Sequence, residues 1–268
     1  MSFLAACVQL QGSSDLARNA QTTERLIRLA AARGATLICT PEATDYLGPH
    51  KDKVRLAEAI DGPRAHGWSA LAKELQVTLL IGSFAEATES QRPANTSLLF
   101  GPDGTLLAHY RKVHLFDVDV PGGVQFLESK TTTPGKELVN VASAVGQIGL
   151  SICYDLRFPG LYQALAKGGA QLLTVPSAFT LMTGKDHWHV LLRARAIENQ
   201  CYVLAPGQWG HHDDDGLRES YGRSCIIDPW GQVLAECPDG EGICMAEIDL
   251  EAQAALRQRM PVLEHRRY

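Results

Sequence analysis

Short apolar runs alternate with amphipathic stretches along most of the chain. Runs without polar breaks read as buried strands, and apolar residues recurring three and four apart read as helices. Residues 3–10, 36–40, 77–84, 172–175, 201–205 and 243–248 are predicted strands. Two hairpins are predicted, one around Gly101-Pro102-Asp103-Gly104 and one around Pro229-Trp230-Gly231, both strong turn sequences. A helix is predicted over 19–33, with Leu26, Ile27, Leu29 and Ala30 on its inner face. Others follow Asp61-Gly62-Pro63, with Asp61 as the cap, and span 188–199, with Leu191, Leu192, Ala194 and Ile197 inside, and 251–260. Residues 113–137 show no period; a segment of that length is functional or disordered.

One stretch, 148–159, organises this pattern. An apolar run stops at Cys153, polar residues follow at once, and a helical pattern begins after Pro159 and ends at Gly168-Gly169. A buried strand therefore delivers a thiol to a sharp turn near a helix N-terminus, where the dipole favours thiolate. That position suits a nucleophile. Cysteine is also among the most buried residue types, so a core role stays open here. A second pattern is an internal echo. Gly34-Ala35-Thr36-Leu37-Ile38-Cys39-Thr40-Pro41 matches Gly169-Ala170-Gln171-Leu172-Leu173-Thr174-Val175-Pro176 at a constant offset. It suggests two related αβ halves packed face to face, with chance similarity as the alternative.

The composition narrows the function classes. The 268 residues carry a net charge of −5 and no basic block, which argues against nucleic acid or an anionic membrane as partner. The seven cysteines are scattered and form no C-x-x-C pair, so neither a disulfide scaffold nor a zinc ribbon is expected and a reducing, cytoplasmic setting is. Leu4-Ala5-Ala6-Cys7 superficially resembles a lipoprotein cleavage site, but no Lys or Arg precedes Arg18, so these residues read as strand. Asp213-Asp214-Asp215 reads as a solvated loop.

Glu42, Lys112 and Cys153 each follow a predicted strand. If those ends converge, a thiol, a carboxylate and an ammonium make the equipment for acyl transfer: attack, proton transfer and oxyanion stabilisation. The Tyr154 N–H, just past the thiol, is a further oxyanion donor. Taken alone, Glu42 reads first as a surface carboxylate and Lys112 as a solubilising lysine at a hairpin end. No G-x-S-x-G, phosphate loop or dinucleotide fingerprint occurs. His187 and His189, with His211-His212-Asp213, offer a metal-site alternative. The first pair opens a predicted helix at i, i+2, where side chains do not share a face, so no metal is expected.

Pro41-Glu42, Tyr110-Arg111-Lys112-Val113-His114-Leu115-Phe116-Asp117 and Ile152-Cys153-Tyr154-Asp155-Leu156-Arg157-Phe158-Pro159 resemble the three signature segments of the nitrilase (carbon–nitrogen hydrolase) superfamily, in the family's order. The resemblance covers essentially the whole chain and implies an α/β fold, a four-layer αββα sandwich, as one domain over 1–268. It implies a catalytic set of Glu42 as base, Lys112 at the oxyanion and Cys153 as nucleophile. A second family glutamate falls on Glu128, in Phe126-Leu127-Glu128-Ser129. No cofactor is implied, and a homodimer is.

Within the superfamily, Pro176-Ser177-Ala178-Phe179-Thr180, His187-Trp188, Tyr221-Gly222-Arg223-Ser224 and the closing His265-Arg266-Arg267 resemble the amidases that act on deaminated glutathione. The sister omega-amidases, which take 2-oxoglutaramate, typically have Gly where Ser177 stands. Lys185-Asp186 and Arg223 depart from the branch pattern. The implied small-molecule substrate is an α-keto acid amide, which needs a cation for its carboxylate. Arg157 is the candidate, since its planar fork suits a carboxylate, and Phe179 and Thr183 are expected beside it. A structural ion pair of Arg157 with Asp155 or Glu198 is the alternative.

Overall fold

The computed structural model describes residues 2–119, 125–213 and 218–267. The first half runs β1 (Ser2–Gln9), α1 (Leu16–Ala32), β2 (Ala35–Cys39), α2 (His50–Arg55), α3 (Pro63–Leu75), β3 (Thr78–Glu86), β4 (Ala94–Phe100) and β5 (Leu106–Arg111). A small hairpin, β6 (Asp117–Asp119) and β7 (Gln125–Leu127), leads into the second half. There follow β8 (Asn140–Ser143), β9 (Gly146–Leu150), α4 (Pro159–Lys167), β10 (Leu172–Thr174), α5 (Leu181–Asn199) and β11 (Tyr202–Ala205). The chain closes with β12 (Trp209–His211), β13 (Glu219–Tyr221), β14 (Cys225–Ile227), β15 (Val233–Glu236), β16 (Gly242–Asp249), α6 (Leu250–Arg259) and α7 (Val262–His265).

Two sheets form, in the orders β16-β1-β2-β3-β4-β5 and β15-β14-β11-β10-β9-β8. The strands are apolar on both sides because both faces are covered. In β1, Ala5 and Cys7 face the other sheet and join one core with Ile148, Leu150 and Leu173. Ala6 and Val8, on the opposite face, pack with Leu26, Ile27 and Ala30 of α1 and with Leu71 and Ala72 of α3. On the far side, α4 and α5 cover the second sheet through Tyr162, Leu165, Trp188 and Leu192. The layers are therefore helix, sheet, sheet, helix.

The internal echo has a structural counterpart. β2 pairs in parallel with β1 and β3, and β10 pairs in parallel with β9 and β11. Each is entered through a left-handed glycine, Gly34 at φ 93° and Gly169 at φ 94°. Each ends two residues before a proline, Pro41 or Pro176. Because the strands within each trio run the same way, their C-terminal ends and the loops leaving them gather at one edge.

Several local expectations change. Helix α1 begins earlier than expected, at Leu16, because the Asp15 side chain accepts from the N–H groups of Ala17 and Arg18. The cap of α3 is Gly62 rather than Asp61, and Glu58 accepts from the Arg64 N–H at 2.6 Å in its place. Helix α5 starts at Leu181, so His187 and His189 lie inside it. Its buried side is Trp188, Leu192, Arg195, Ala196 and Asn199; Ile197 faces out. The stretch 113–137 holds β6, β7 and a 3-10 turn at Glu128–Lys130, with 120–124 outside the described residues. In the acidic run, Asp213 accepts from Ser14, while Asp214 and Asp215 lie outside the described residues.

Candidate active site

Glu42 leaves β2 through a tightly held turn. The Thr40 hydroxyl pairs with that of Thr44 at 2.8 Å and accepts from the Gly82 N–H at 3.0 Å. Ala43 is left-handed at φ 55°, and its N–H donates to Ser83 Oγ at 2.8 Å. Fully buried Gln208 donates from Nε2 to the carbonyls of Glu42 and Ala43. The base of the turn is thus anchored by groups far away in sequence, and the carboxylate's direction is fixed.

Lys112 follows β5 directly. Its N–H donates to Asn95 O at 2.9 Å, and its carbonyl accepts from Gly135 N. The ammonium is buried and donates to Glu42 Oε1 and Glu128 Oε2, both at 2.9 Å. Asn95 spans the same two carboxylates, donating from Nδ2 to Glu42 Oε1 at 2.8 Å and Glu128 Oε1 at 3.2 Å. Glu42 Oε2 accepts from the Ala178 N–H and Glu128 Oε2 from the Phe116 N–H, both at 2.8 Å.

Cys153 reaches this cluster from the other sheet. β9 ends at Leu150 and a 3-10 turn spans Cys153–Arg157, so α4 begins only at Pro159 and the thiol does not sit at its N-terminus. Cys153 is left-handed at φ 49°, a strained conformation for a residue with a Cβ. Its N–H donates to Pro176 O at 2.9 Å. The Tyr154 N–H belongs to the first turn of the 3-10 helix, whose leading amides lack intrahelical acceptors.

Asp155 ties the two motif segments together. Its buried carboxylate accepts from Tyr110 Oη at 2.7 Å, His114 N at 3.0 Å and Ile152 N at 2.8 Å. It also pairs with the His114 ring at 2.7 Å. Tyr110 and His114 flank Lys112, so one side chain sets both the lysine and the cysteine turn.

Electrostatics follow from this geometry. Burial pushes the Cys153 thiol well above the ordinary cysteine range, and the negative charge of the nearby Glu42 adds to the rise. The resting species is therefore a thiol beside a carboxylate. Burial pulls Lys112 down, but the charges of Glu128 and Glu42 outweigh it and hold the ammonium well above its usual value. Burial likewise opposes the charge on Glu128, yet Lys112, Lys53 and the Phe116 N–H hold it down at about 2. The cluster is a charged pair of carboxylates around one ammonium, with a neutral thiol next to it. It can transfer a proton from sulfur to Glu42 and offer donors to an oxygen that becomes negative.

All eight residues expected at the site line one pocket: Glu42, Lys112, Glu128, Cys153, Tyr154, Arg157, Phe179 and Thr183. Arg157 makes neither alternative ion pair. Asp155 is engaged as above, and Glu198 pairs with Arg195 at 3.0 Å. Arg157 instead lies over the rings of Phe179 at 5.2 Å and Tyr154 at 5.8 Å and contacts His187 Nδ1 at 3.2 Å. Thr183 pairs with the Thr180 hydroxyl at 2.8 Å. Asn95 and Lys53 line the same pocket and were not anticipated. Asn95 lies in a strand and Lys53 on a short helix that carries no apolar periodicity.

The features that stood out elsewhere have other places. His189 pairs with Glu236 at 2.6 Å, and His212 is held between Gly12 O and Ser220 Oγ, both at 2.8 Å. Buried Ser177 donates to Val175 O at 3.1 Å. Lys185 and Asp186 are exposed on α5, and Arg223 pairs with Asp239 at 3.0 Å.

Known proteins of this kind share the architecture. The chain is 45% identical over 268 residues, 98% of each chain, to the deaminated glutathione amidase of Synechocystis sp.. It is 42% identical over 266 residues to human omega-amidase NIT2, covering 99% of this chain and 95% of that one. The crystal structure of the Caenorhabditis elegans NitFhit protein superposes with a TM-score of 0.93 at 41% identity, over 99% of this chain and 65% of that one. The carbon–nitrogen hydrolase family model matches residues 4–258, and the chain belongs to that family.

Proposed function

We propose that the protein hydrolyses the amide bond of deaminated glutathione to 2-oxoglutarate and cysteinylglycine, through a thioester on Cys153. The observation that carries this reading is the Lys112 ammonium bridging Glu42 and Glu128 at 2.9 Å in the pocket that Cys153 also lines. Glu42 takes the thiol proton as sulfur attacks the amide carbon. Lys112 and the Tyr154 N–H hold the oxyanion. The C–N bond breaks, and the amine leaves with the proton returned by Glu42. Water then attacks the thioester, with Glu42 taking its proton and returning it to the departing sulfur. Glu128 keeps Lys112 charged and in place. Arg157, over the rings of Phe179 and Tyr154, binds the carboxylate of the α-keto acyl arm.

The substrate choice draws on the 45% identity to a deaminated glutathione amidase. The 42% identity to an omega-amidase favours 2-oxoglutaramate as the second reading. Side-by-side turnover of the two amides, a simple nitrile and an N-carbamoyl amino acid decides between them. The expected result is a clear preference for deaminated glutathione and a mass adduct on Cys153 from a slow amide. Full activity in Cys153→Ala overturns the mechanism.

We further propose that residues 1–268 act as one catalytic domain, in keeping with a core shared by both sheets. A cytoplasmic location fits seven free cysteines. Among the described residues, no helix is long and apolar enough to cross a membrane. A homodimer is proposed through the outer face of α5.

A further inference from the structure

The pocket holds more positive charge than the proposed reaction uses. Arg157 comes from the cysteine turn, on the second sheet's side. Lys53 comes from α2, on the first sheet's side, and lines the same pocket as Cys153. Lys53, Glu42 and Glu128 line the one pocket, and the charges of both carboxylates bear on the Lys53 ammonium. Arg157 lies over Phe179, in the segment between β10 and α5. A third lining cation, Arg64, is already committed to Asp45 and Glu58. Lys53 has no such commitment: among the described residues it makes no ion pair within 4 Å.

Phe126 and Arg218 also line the pocket, with the guanidinium 4.6 Å from the ring centroid. Burial disfavours the Lys53 charge, and a bound anion would offset that cost. The acyl carbon must sit at Cys153, in the pocket that Arg157 and Lys53 share with it. An acyl arm directed at Arg157 leaves the departing amine pointing toward Glu42 and Glu128, and so toward Lys53.

We propose that Lys53 forms a second anion subsite, which takes a carboxylate carried on the leaving-amine arm of the substrate. The inference rests on the proposed amide hydrolysis and deepens it. The preferred substrate class is then an amide with a carboxylate on each side of the scissile bond. An amide with a carboxylate only on the acyl side fills half of the recognition.

Kinetics on the full-length protein test this. The ratio of kcat/KM for deaminated glutathione to that for 2-oxoglutaramate is measured in wild type, Lys53→Gln and Lys53→Arg. In Lys53→Gln the ratio is expected to fall roughly tenfold or more, mainly through KM for deaminated glutathione, since a charge-assisted contact is lost. Lys53→Arg is expected to recover most of it. An unchanged ratio in Lys53→Gln overturns the subsite. Failure of the wild type on both amides counts against the proposed function instead. The subsite is then read by calorimetry on Cys153→Ala with glutarylglycine, which has a carboxylate on each arm, and glutaramate, which has one. Binding of glutarylglycine at least tenfold tighter, lost on adding Lys53→Gln, supports it. Equal affinities, or no binding of glutarylglycine, overturn it.

Discussion

Lys112 keeps its charge where burial alone would remove it. Two carboxylates at 2.9 Å hold the proton on, and Asn95 separates them by donating to both. The cost of one buried ion is met by partners that are themselves hydrogen-bonded, as a buried ion network requires. Glu128 shows the energetic consequence. Its drop from 4.5 to about 2 corresponds to about 3 kcal/mol of stability at neutral pH. The folded-state value is the depressed one, so this contribution is full above pH 4.5 and is lost as pH falls toward 2. Glu128→Gln removes the titration. Urea unfolding at pH 7 and pH 3 should show a smaller acid-induced loss in the variant than in wild type. In the proposed mechanism the same change leaves Lys112 with one carboxylate, and kcat should fall roughly 100-fold.

At the scale of elements, the site is an agreement between loops from two sheets. Asp155 enforces it, gripping Tyr110 and His114 on one side and the Ile152 N–H on the other. Asp155→Ala leaves those donors unpaired and buried. It should cost about 3–5 kcal/mol in chemical denaturation and lower kcat, although Asp155 touches no reacting atom. A second control lies in β3. A Cβ on Gly82 would overlap the carbonyls of Thr40 and Pro41, so the turn that presents Glu42 packs against bare backbone. Arg195, buried in α5, supports the cysteine turn from behind by donating twice to Leu156 O, at 3.1 and 2.7 Å.

Across the whole molecule, α5 links the site to the outer surface. Its inner face carries Arg195 and Trp188, and Thr183 at its start lines the pocket. Its outer face exposes Val190 at 67% and Ile197 at 45%, one helical repeat apart on a single side. Trp230 and Leu234 of the neighbouring hairpin are also exposed, at 57% and 42%. Clustered apolar residues of this kind mark an interaction surface, and a second copy is the proposed occupant. Sedimentation velocity should give a dimer for wild type and a monomer for Val190→Lys. A monomeric wild type would sink the proposal.

Much of the architecture was legible along the chain. The two glycine-to-proline repeats mapped onto β2 and β10 because parallel strands buried on both faces leave continuous apolar runs. Glu42 and Cys153 were legible because each follows such a run, Lys112 because it closes the arm of a predicted hairpin, and the family resemblance added Glu128. Asn95 was not, since a buried polar residue within a strand carries no local sign of which charge it meets. Lys53 was not, since α2 is too short for a helical pattern and the lysine reads as solvated. The sequence by itself determined the main strands and helices of the two sheets and the chemical types held at the strand ends. Only the tertiary structure decided that Arg157 pairs with neither Asp155 nor Glu198, that Asp155 binds two segments into one, and that Glu42, Glu128 and Asn95 gather around the Lys112 ammonium. Those outcomes depend on distances between residues far apart in the chain, and periodicity reports only on neighbours.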